Sequence, residues 1–356
     1  MKICFLAGAN TIHSIRWIRY FVKAGEKITW ISFAPPLNEA RDFIGQTNFL
    51  NLRLGKNLLS LVNLPLNLWK IHKTIRREKI EIVHAHYAGL YGLIGALLNF
   101  HPFVLTVWGS DVLIFPSNFI KKKITGFILK KADLITVDGY NCRDAILKFS
   151  VHPKKVNFIQ FGVDAEKFRP QGEPRPNTVL SLRSLEPIYD IETLIKAAPL
   201  VLNKVPETKF IIAGDGSDKQ KLAELAVNLK VAERVQFVGR ITHDKLPEFI
   251  NNASIYVSTS LSDSGLAMST TEAMACGLPV VITDTSDNSR WVKNNDGGFV
   301  IPVKNPELLA EKIIYLLAHP TERKAFGARN RKIVEEGNSY KGEMAKMHNI
   351  YKETLK

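Results

Sequence analysis

Short apolar runs alternate with amphipathic segments along nearly the whole chain, and no other feature constrains its fold as much. The runs Ile3–Ala7, Ile28–Phe33, Ile82–His86, Phe103–Val107, Leu134–Val137 and Val156–Gln160 have strand length. Helical patterns over His13–Ala24, Leu58–Glu78, Leu90–Phe100, Phe119–Lys131 and Asn141–Ser150 separate them. Strands with no polar face must be covered on both sides, so this order predicts βα units and a parallel sheet. Around Phe168–Thr178 the pattern breaks into Pro170, Gly172, Pro174 and Pro176 with charged residues between, which reads as a linker. It then restarts. Strands are expected at Thr178–Leu182, Lys209–Ala213, Val235–Val238, Ser254–Ser258, Val280–Thr283 and Phe299–Pro302. Helices are expected at Ile191–Val205, Lys219–Leu229, Lys245–Asn252, Met268–Cys276, Ser289–Lys293 and Glu307–Ala318, with three more from Glu322 to Lys356. The expected architecture is α/β: two doubly wound domains, 1–170 and 177–337, a terminal helix over 338–356, and a ligand cleft between the domains.

A chain of 356 residues suits two such domains. Charge divides unevenly between them. Residues 1–176 hold 25 Lys and Arg against 12 Asp and Glu, whereas residues 177–356 hold 23 against 22. The first half is therefore expected to meet something anionic and extended, and the second to carry a specific small-ligand site. Cys4, Cys142 and Cys276 are too few and too scattered for a disulfide framework or a cysteine-based zinc site, which fits a reducing compartment. The apolar run Ile3–Ala9 is short for a signal segment and reads better as a buried strand. No apolar stretch reaches the roughly 18–20 residues that span a bilayer. There is no acidic triplet, HExxH, GxSxG or Walker sequence, and the basic residues lack the aromatic interleaving of an RNA surface. No metal, no cofactor and no nucleic acid are expected.

The strongest local signal is Ser258-Thr-Ser-Leu-Ser-Asp-Ser-Gly-Leu-Ala-Met-Ser-Thr-Thr-Glu272-Ala-Met-Ala-Cys-Gly277-Leu-Pro-Val-Val-Ile-Thr-Asp284. A strand ends in a small, polar loop, and a helix starts near Met268. Amides at a helix start are unpaired and the helix dipole favours anions there, so a diphosphate at Gly265–Ala267 is the natural occupant. Glu272, one turn further on, could accept hydrogen bonds from sugar hydroxyls, or be only a first-turn glutamate favoured by the dipole. Gly214-Asp-Gly216 fits part of a dinucleotide fingerprint and equally a tight βα turn.

The stretch resembles the donor-site signature of family-4 glycosyltransferases of GT-B fold, above all in Glu272-Ala-Met-Ala-Cys-Gly-Leu-Pro-Val-Val. Gly214-Asp-Gly216, Phe237-Val-Gly-Arg240, Ala253-Ser-Ile-Tyr-Val-Ser-Thr-Ser260 and Arg183 stand around it in the family's order. The resemblance covers about Thr178–Leu317, and it implies that the last helix, about Tyr340–Leu355, returns to the first domain. It implies that Glu272 holds the donor ribose, that Arg183 meets the donor diphosphate, and that Gly265, Leu266 and Ala267 reach the donor sugar and phosphates. Gly239 and Arg240 would lie by the base. Two departures stand out: Ser264 occupies the place of the family's first glutamate, with Asp263 one residue off register, and Ile188 replaces a frequent lysine.

In the first domain the resemblance is looser. It implies that Gly8 lies near the donor phosphates, and Asn10 and His13 offer polar contacts to an acceptor. His84 and His86 are expected to face opposite sides of their strand. His86, at its C-terminal end, is the acceptor-site candidate. Trp108 stands where many members carry a cleft histidine; an indole cannot be a base but can stack on a sugar. Asp111 is the nearest ionisable group, a catalytic candidate or a loop cap.

The reading is a glycosyltransferase, hexosyl or N-acetylhexosaminyl, that moves a sugar from a nucleotide diphosphate-sugar to an acceptor hydroxyl. The resemblance implies retention at the anomeric carbon, and Arg183, Glu272 and Asp111 are the catalytic candidates. The acceptor would be lipid-linked or a growing glycan of the cell envelope. The alternatives are an epimerase or hydrolase of the same fold, and a non-catalytic nucleotide-sugar-binding subunit. Lys121, Lys122 and Lys123, beside the apolar stripe Phe119, Ile120, Ile124, Phe127 and Ile128, are expected to meet an anionic membrane. That would place the protein in the cytoplasm, peripheral at the inner face of the cell membrane.

Overall fold

The computed structural model describes residues 1–52 and 63–356. It divides into two units, Met1–Phe161 with Glu343–Lys356, and Gly162–Gly342. Each is a seven-stranded, wholly parallel sheet.

In the first unit the strands are β1 (Lys2–Leu6), β2 (Lys27–Ser32), β3 (Asn48–Asn51), β4 (Ile82–His86), β5 (Phe103–Thr106), β6 (Leu134–Val137) and β7 (Val156–Phe158), in the order β3-β2-β1-β4-β5-β6-β7. The central strands are buried throughout, as their apolar runs require. Helices Leu64–Glu78, Leu90–Leu98 and Phe119–Lys131 bury Ile71, Ile94 and Ile128 against one face. The expected start of the first of these, at Leu58, lies outside the described residues.

In the second unit the strands are β8 (Thr178–Ser181), β9 (Lys209–Ile212), β10 (Val235–Phe237), β11 (Ile255–Ser258), β12 (Val280–Thr283), β13 (Lys293–Asn294) and β14 (Gly297–Ile301), in the order β10-β9-β8-β11-β12-β14-β13. Helix Ile191–Leu202 buries Ile191, Leu194, Ile195, Ala198 and Val201, an i, i+3, i+4 stripe. Helix Pro306–Ala318 packs beside it, its start capped by the Asn305 side chain on Leu308 N at 2.9 Å.

Three expectations are revised. β3 and β13, each at a sheet edge, escape the apolar pattern, and β13 takes up Lys293, expected to end a helix that stops at Trp291. Two helices, Pro320–Gly337 and Tyr340–Thr354, fill the end of the chain where three were expected. The units part at Phe161, before the Pro-rich segment, because residues 163–168 are held by the second unit. Val163 N donates to Asn338 O at 2.9 Å, Arg331 Nη2 to Ala165 O at 2.8 Å, and Phe168 is buried in that core. From Glu343 onward the last helix belongs to the first unit, where it buries Met344, Met347 and Tyr351.

Candidate functional site

In the second unit β8 has β9 on one side and β11 on the other, so the strand order reverses there. Loops leaving two such strands part in opposite directions and open a crevice at their carboxyl ends. Arg183 leaves β8 into it with 8% exposure. Its Nη2 donates to Asp263 Oδ1 at 2.5 Å and its Nη1 to Ser269 Oγ at 3.2 Å. The guanidinium carbon lies 4.3 Å over the Tyr189 ring, and Nε has no protein partner. Burial works against its charge; Asp263, with Tyr256 and Tyr189 beside it, outweighs burial and raises its pKa above the ordinary arginine value.

The loops after β8, β9 and β10 are laced together. Gly214 N donates to Gly239 O at 2.9 Å, Leu185 N to Asp215 O at 3.1 Å and Asp218 N to Leu185 O at 2.9 Å. A Cβ on Gly214 would lie 2.1 Å from Arg183 O, and one on Gly216 2.4 Å from Leu185 O. Loop packing therefore accounts for both glycines of Gly214-Asp-Gly216. Arg183, Gly214, Arg240, Ser269 and Glu272 line one pocket of about 240 Å³. Gly239, beside Arg240, has φ +73° with open space around it.

β11 leads into the loop that starts helix Met268–Ala275. Ala267 stands at the N-cap and its own side chain makes no cap hydrogen bond. Gly265, Leu266 and Ala267 are buried, Leu266 within the hydrophobic core, and Ser264 is half-buried. The acid that meets Arg183 is Asp263, the one out of register with the family's first glutamate. Ser286 pins its backbone, with Asp263 N donating to Ser286 Oγ at 3.0 Å. Glu272, 4% exposed, lies one turn into the helix and faces His243 Nε2 at 3.7 Å. His243 Nδ1 in turn contacts Lys167 Nζ at 2.8 Å. Sequence reasoning missed both. His243 belongs to no quoted motif, and Lys167 precedes what reads as a linker.

In the first unit the strand order reverses between β1 and β4. Gly8 and Asn10 follow β1; a Cβ on Gly8 would meet Asn10 Oδ1 at 2.8 Å. Asn10 is exposed. His13, His86 and Trp108 come together. Ring centroids are 5.1 Å apart for His86 and Trp108 and 5.4 Å for His13 and Trp108, and Phe161 stacks on Trp108 at 4.9 Å. His86 Nδ1 contacts Ser14 Oγ at 3.0 Å, while His86 Nε2 and His13 Nδ1 are buried without hydrogen-bond partners. Burial lowers the His86 pKa to about 3, with His13 adding to it. Burial, then Arg16, lowers His13 to about 4. Both imidazoles are neutral at pH 7.

His84 and His86 do not face opposite sides. Side chains alternate along a strand, so residues two apart share a face, and their ring centroids are 4.7 Å apart. His84 is turned to other work: Nε2 contacts Thr106 Oγ1 at 2.7 Å, and Nδ1 meets the Tyr351 hydroxyl of the last helix. Asp111 is fully buried and accepts from Ala88 N at 2.7 Å and Trp108 N at 3.1 Å. Burial raises its pKa to about 6 against these amides. It holds the loop that carries Trp108, which is the loop-cap alternative of the two the sequence offered.

Lys121, Lys122 and Lys123 lie on helix Phe119–Lys131. The apolar stripe beside them divides: Ile128 is buried, whereas Phe119 and Ile120 are each 69% exposed. Among the described residues no helix is long and apolar enough to cross a membrane, and no three His, Cys, Asp or Glu side chains gather as a cation site.

Comparison with known proteins adds a second line of observation. The model described as glycosyl transferases group 1 matches residues 163–333, and that described as glycosyl transferase 4-like matches residues 2–139. An uncharacterized glycosyltransferase of Methanocaldococcus jannaschii is 29% identical over 269 residues, 74% of this chain and 73% of the relative. The UDP-Gal:alpha-D-GlcNAc-diphosphoundecaprenol alpha-1,3-galactosyltransferase of Escherichia coli is 27% identical over 301 residues, 75% of this chain and 72% of the relative. The crystal structure of Anabaena HepE in complex with UDP superposes with a TM-score of 0.83 at 17% identity, covering 99% of this chain and 100% of that one.

Proposed function

Since the chain belongs to the family-4 type of group 1 glycosyltransferases, enzymes of GT-B fold, we propose that it transfers a hexosyl or N-acetylhexosaminyl group from a nucleoside diphosphate-sugar to a hydroxyl of a lipid-linked or glycan acceptor. The observation that carries this reading is the buried Arg183 cation at the strand reversal, which lines one pocket with Ser269 in the first turn of helix Met268–Ala275 and with the carboxylate of Glu272. The E. coli relative, named for a diphosphoundecaprenol acceptor, and the UDP complex of the Anabaena protein lend it support.

In this reading Glu272 accepts hydrogen bonds from the ribose hydroxyls. Arg183, Ser269 and the amides at Gly265–Ala267 bind the diphosphate, and Gly239 and Arg240 flank the base. The bond from the anomeric carbon to the diphosphate oxygen breaks and its electron pair leaves on that oxygen. The charge that develops there is what a preorganised guanidinium and helix start stabilise most. The acceptor oxygen bonds to the anomeric carbon from the face the diphosphate leaves, which retains configuration, and its proton passes to the departing phosphate. His13, Trp108 and Phe161 offer the acceptor a stacking surface. Burial makes the imidazoles of His13 and His86 weak bases, so the departing phosphate is the better proton acceptor. Arg183 and the helix start supply the counter-charge, so no metal is required. We propose further that Lys121, Lys122 and Lys123, with Phe119 and Ile120, hold the protein at an anionic membrane surface, peripheral on the cytoplasmic side, where a lipid-linked acceptor resides.

The test is turnover. Purified protein, a panel of UDP- and GDP-sugars and a lipid-diphosphate sugar acceptor should yield an α-configured glycoside by NMR from an α-configured donor, with EDTA present. Free sugar or an epimer in place of a glycoside would redirect the assignment. Activity lost on chelation and restored by one divalent ion would remove the metal-free mechanism.

A further inference from the structure

Glu272 does not stand alone at the floor of its pocket. His243 Nε2 is 3.7 Å from Glu272 Oε1, and its other ring nitrogen is 2.8 Å from Lys167 Nζ. An ammonium group has only protons to give. The Lys167 contact therefore makes Nδ1 the acceptor and leaves the proton of a neutral imidazole on Nε2, the nitrogen that faces the carboxylate. The Lys167 ammonium also reaches Asp244 Oδ1 at 3.0 Å.

The segment that carries Lys167 is fixed on both sides. Asp164 Oδ1 accepts from Glu166 N and Lys167 N at 3.1 Å each. Arg331 donates to Ala165 O and Phe168 O, and the buried Phe168 ring lies edge-on to His243 at 5.4 Å. A surface lysine held in one place by this much backbone bonding is not a freely solvated charge. At 3.7 Å the histidine and Glu272 attract each other without a formed hydrogen bond, and the carboxylate keeps its acceptor capacity for a ligand.

We propose that Lys167 and His243 are positioning residues for Glu272: Lys167 sets the tautomer of His243, and His243 Nε2–H draws Glu272 Oε1 so that the carboxylate is oriented for the two ribose hydroxyls of a nucleoside diphosphate. This inference rests on the assignment of Glu272 to the ribose, and the experiment separates the two.

Binding of UDP and GDP is measured by calorimetry, and the nucleotide that binds is carried through a double-mutant cycle. His243→Leu should weaken it about fivefold and Lys167→Met about twofold, the scale of partly exposed charge pairs. His243→Gln, which keeps an N–H donor, should recover most of the loss. In a Glu272→Ala background His243→Leu should have no further effect. The penalty for a 2′-deoxyribose nucleotide should shrink in His243→Leu. In turnover the donor KM should rise with kcat unchanged. Melting temperatures confirm that each variant folds. If Glu272→Ala weakens binding while His243→Leu does not, or if the two effects simply add, the relay is wrong and the ribose assignment stands. If Glu272→Ala itself leaves binding unchanged, both fall.

Discussion

The carboxyl ends of β1, β4 and β5 deliver Gly8, His86 and Trp108 in the first unit, whereas those of β8 and β11 deliver Arg183 and the Asp263–Ala267 loop in the second. Both sheets reverse their strand order at the corresponding place, and both bury their central strands. The chemistry set on that shared frame is opposite. The first unit gathers neutral rings, and burial holds His86 at a pKa of about 3. The second keeps a buried guanidinium charged by giving it a carboxylate. In the proposed function a diphosphate meets the charged group of the second unit, and a sugar face stacks on Trp108 and Phe161 of the first. The frame fixes where a ligand goes, and a few loop residues fix which ligand.

The sharpest way to break this contrast is to weaken the charge in the second unit. Arg183→Lys keeps the charge and loses the planar fork that can hold Asp263, Ser269 and a phosphate together. Turnover should fall on the order of 100- to 1000-fold, the scale for losing one preorganised donor to a developing oxyanion. Near-full turnover would make Arg183 a structural partner of Asp263 and nothing more. Glu272→Ala should weaken nucleotide binding roughly 10- to 150-fold, the range for hydrogen bonds to a charged group. A calorimetric dissociation constant equal to that of wild type would return Glu272 to an ordinary helix residue.

Glu272 was marked in the sequence by a local motif, a polar loop, a helix start and a glutamate one turn in, whereas Arg183 was marked only by the family resemblance. What was not legible depends on residues far apart in the chain. Asp263 lies 80 positions from Arg183 and His243 lies 76 from Lys167, and no spacing rule announces either contact. The frame was read from apolar runs, which fail where a strand lies at an edge. β3 is only half-buried and β13 is exposed, so neither needed a fully apolar sequence. The boundary was read from prolines, yet contacts made by Val163 and Phe168 place it earlier. Asp111 shows the limit for sites. A carboxylate in a loop reads the same whether it meets a substrate or four backbone amides, and only burial tells them apart.

The first unit can be tested through its surface. Phe119 and Ile120, 69% exposed, stand on the same helix as Lys121, Lys122 and Lys123, and Lys123 Nζ lies 4.5 Å from the Phe119 ring centroid. Each lysine near an anionic bilayer contributes about 1 kcal/mol. Replacing the three by Gln should lower binding to anionic vesicles up to about a hundredfold, and wild-type binding should fade with salt. Equal co-sedimentation with neutral vesicles would leave the charge surplus of residues 1–176 unexplained by a membrane.

The smallest effect sharpens the contrast from inside. His13 and His86 have pKa values of about 4 and 3 in the folded protein against an ordinary 6.5. Between those limits the unfolded chain binds more protons than the folded one, so the stability that comes from keeping them neutral is whole above pH 6.5 and is lost as pH falls toward 4. Asp111 acts in the other direction. Its pKa rises from 3.8 to about 6, so between those values the folded state holds the extra proton and gains stability on acidification. His84, lowered well below its ordinary value by burial and then by His86, acts with His13 and His86, so three histidines oppose Asp111 and their loss begins at higher pH. The melting temperature should therefore drop as pH is lowered from 7 to 5, by a few degrees for each ~1 kcal/mol lost. His86→Gln, which cannot take up a proton and can still bond Ser14, should flatten that drop, while Arg183→Lys in the other unit should leave its slope unchanged. An equal slope in wild type and His86→Gln would mean that the ring cluster of the first unit takes up protons without unfolding, and the neutral-against-charged distinction between the two units would no longer hold.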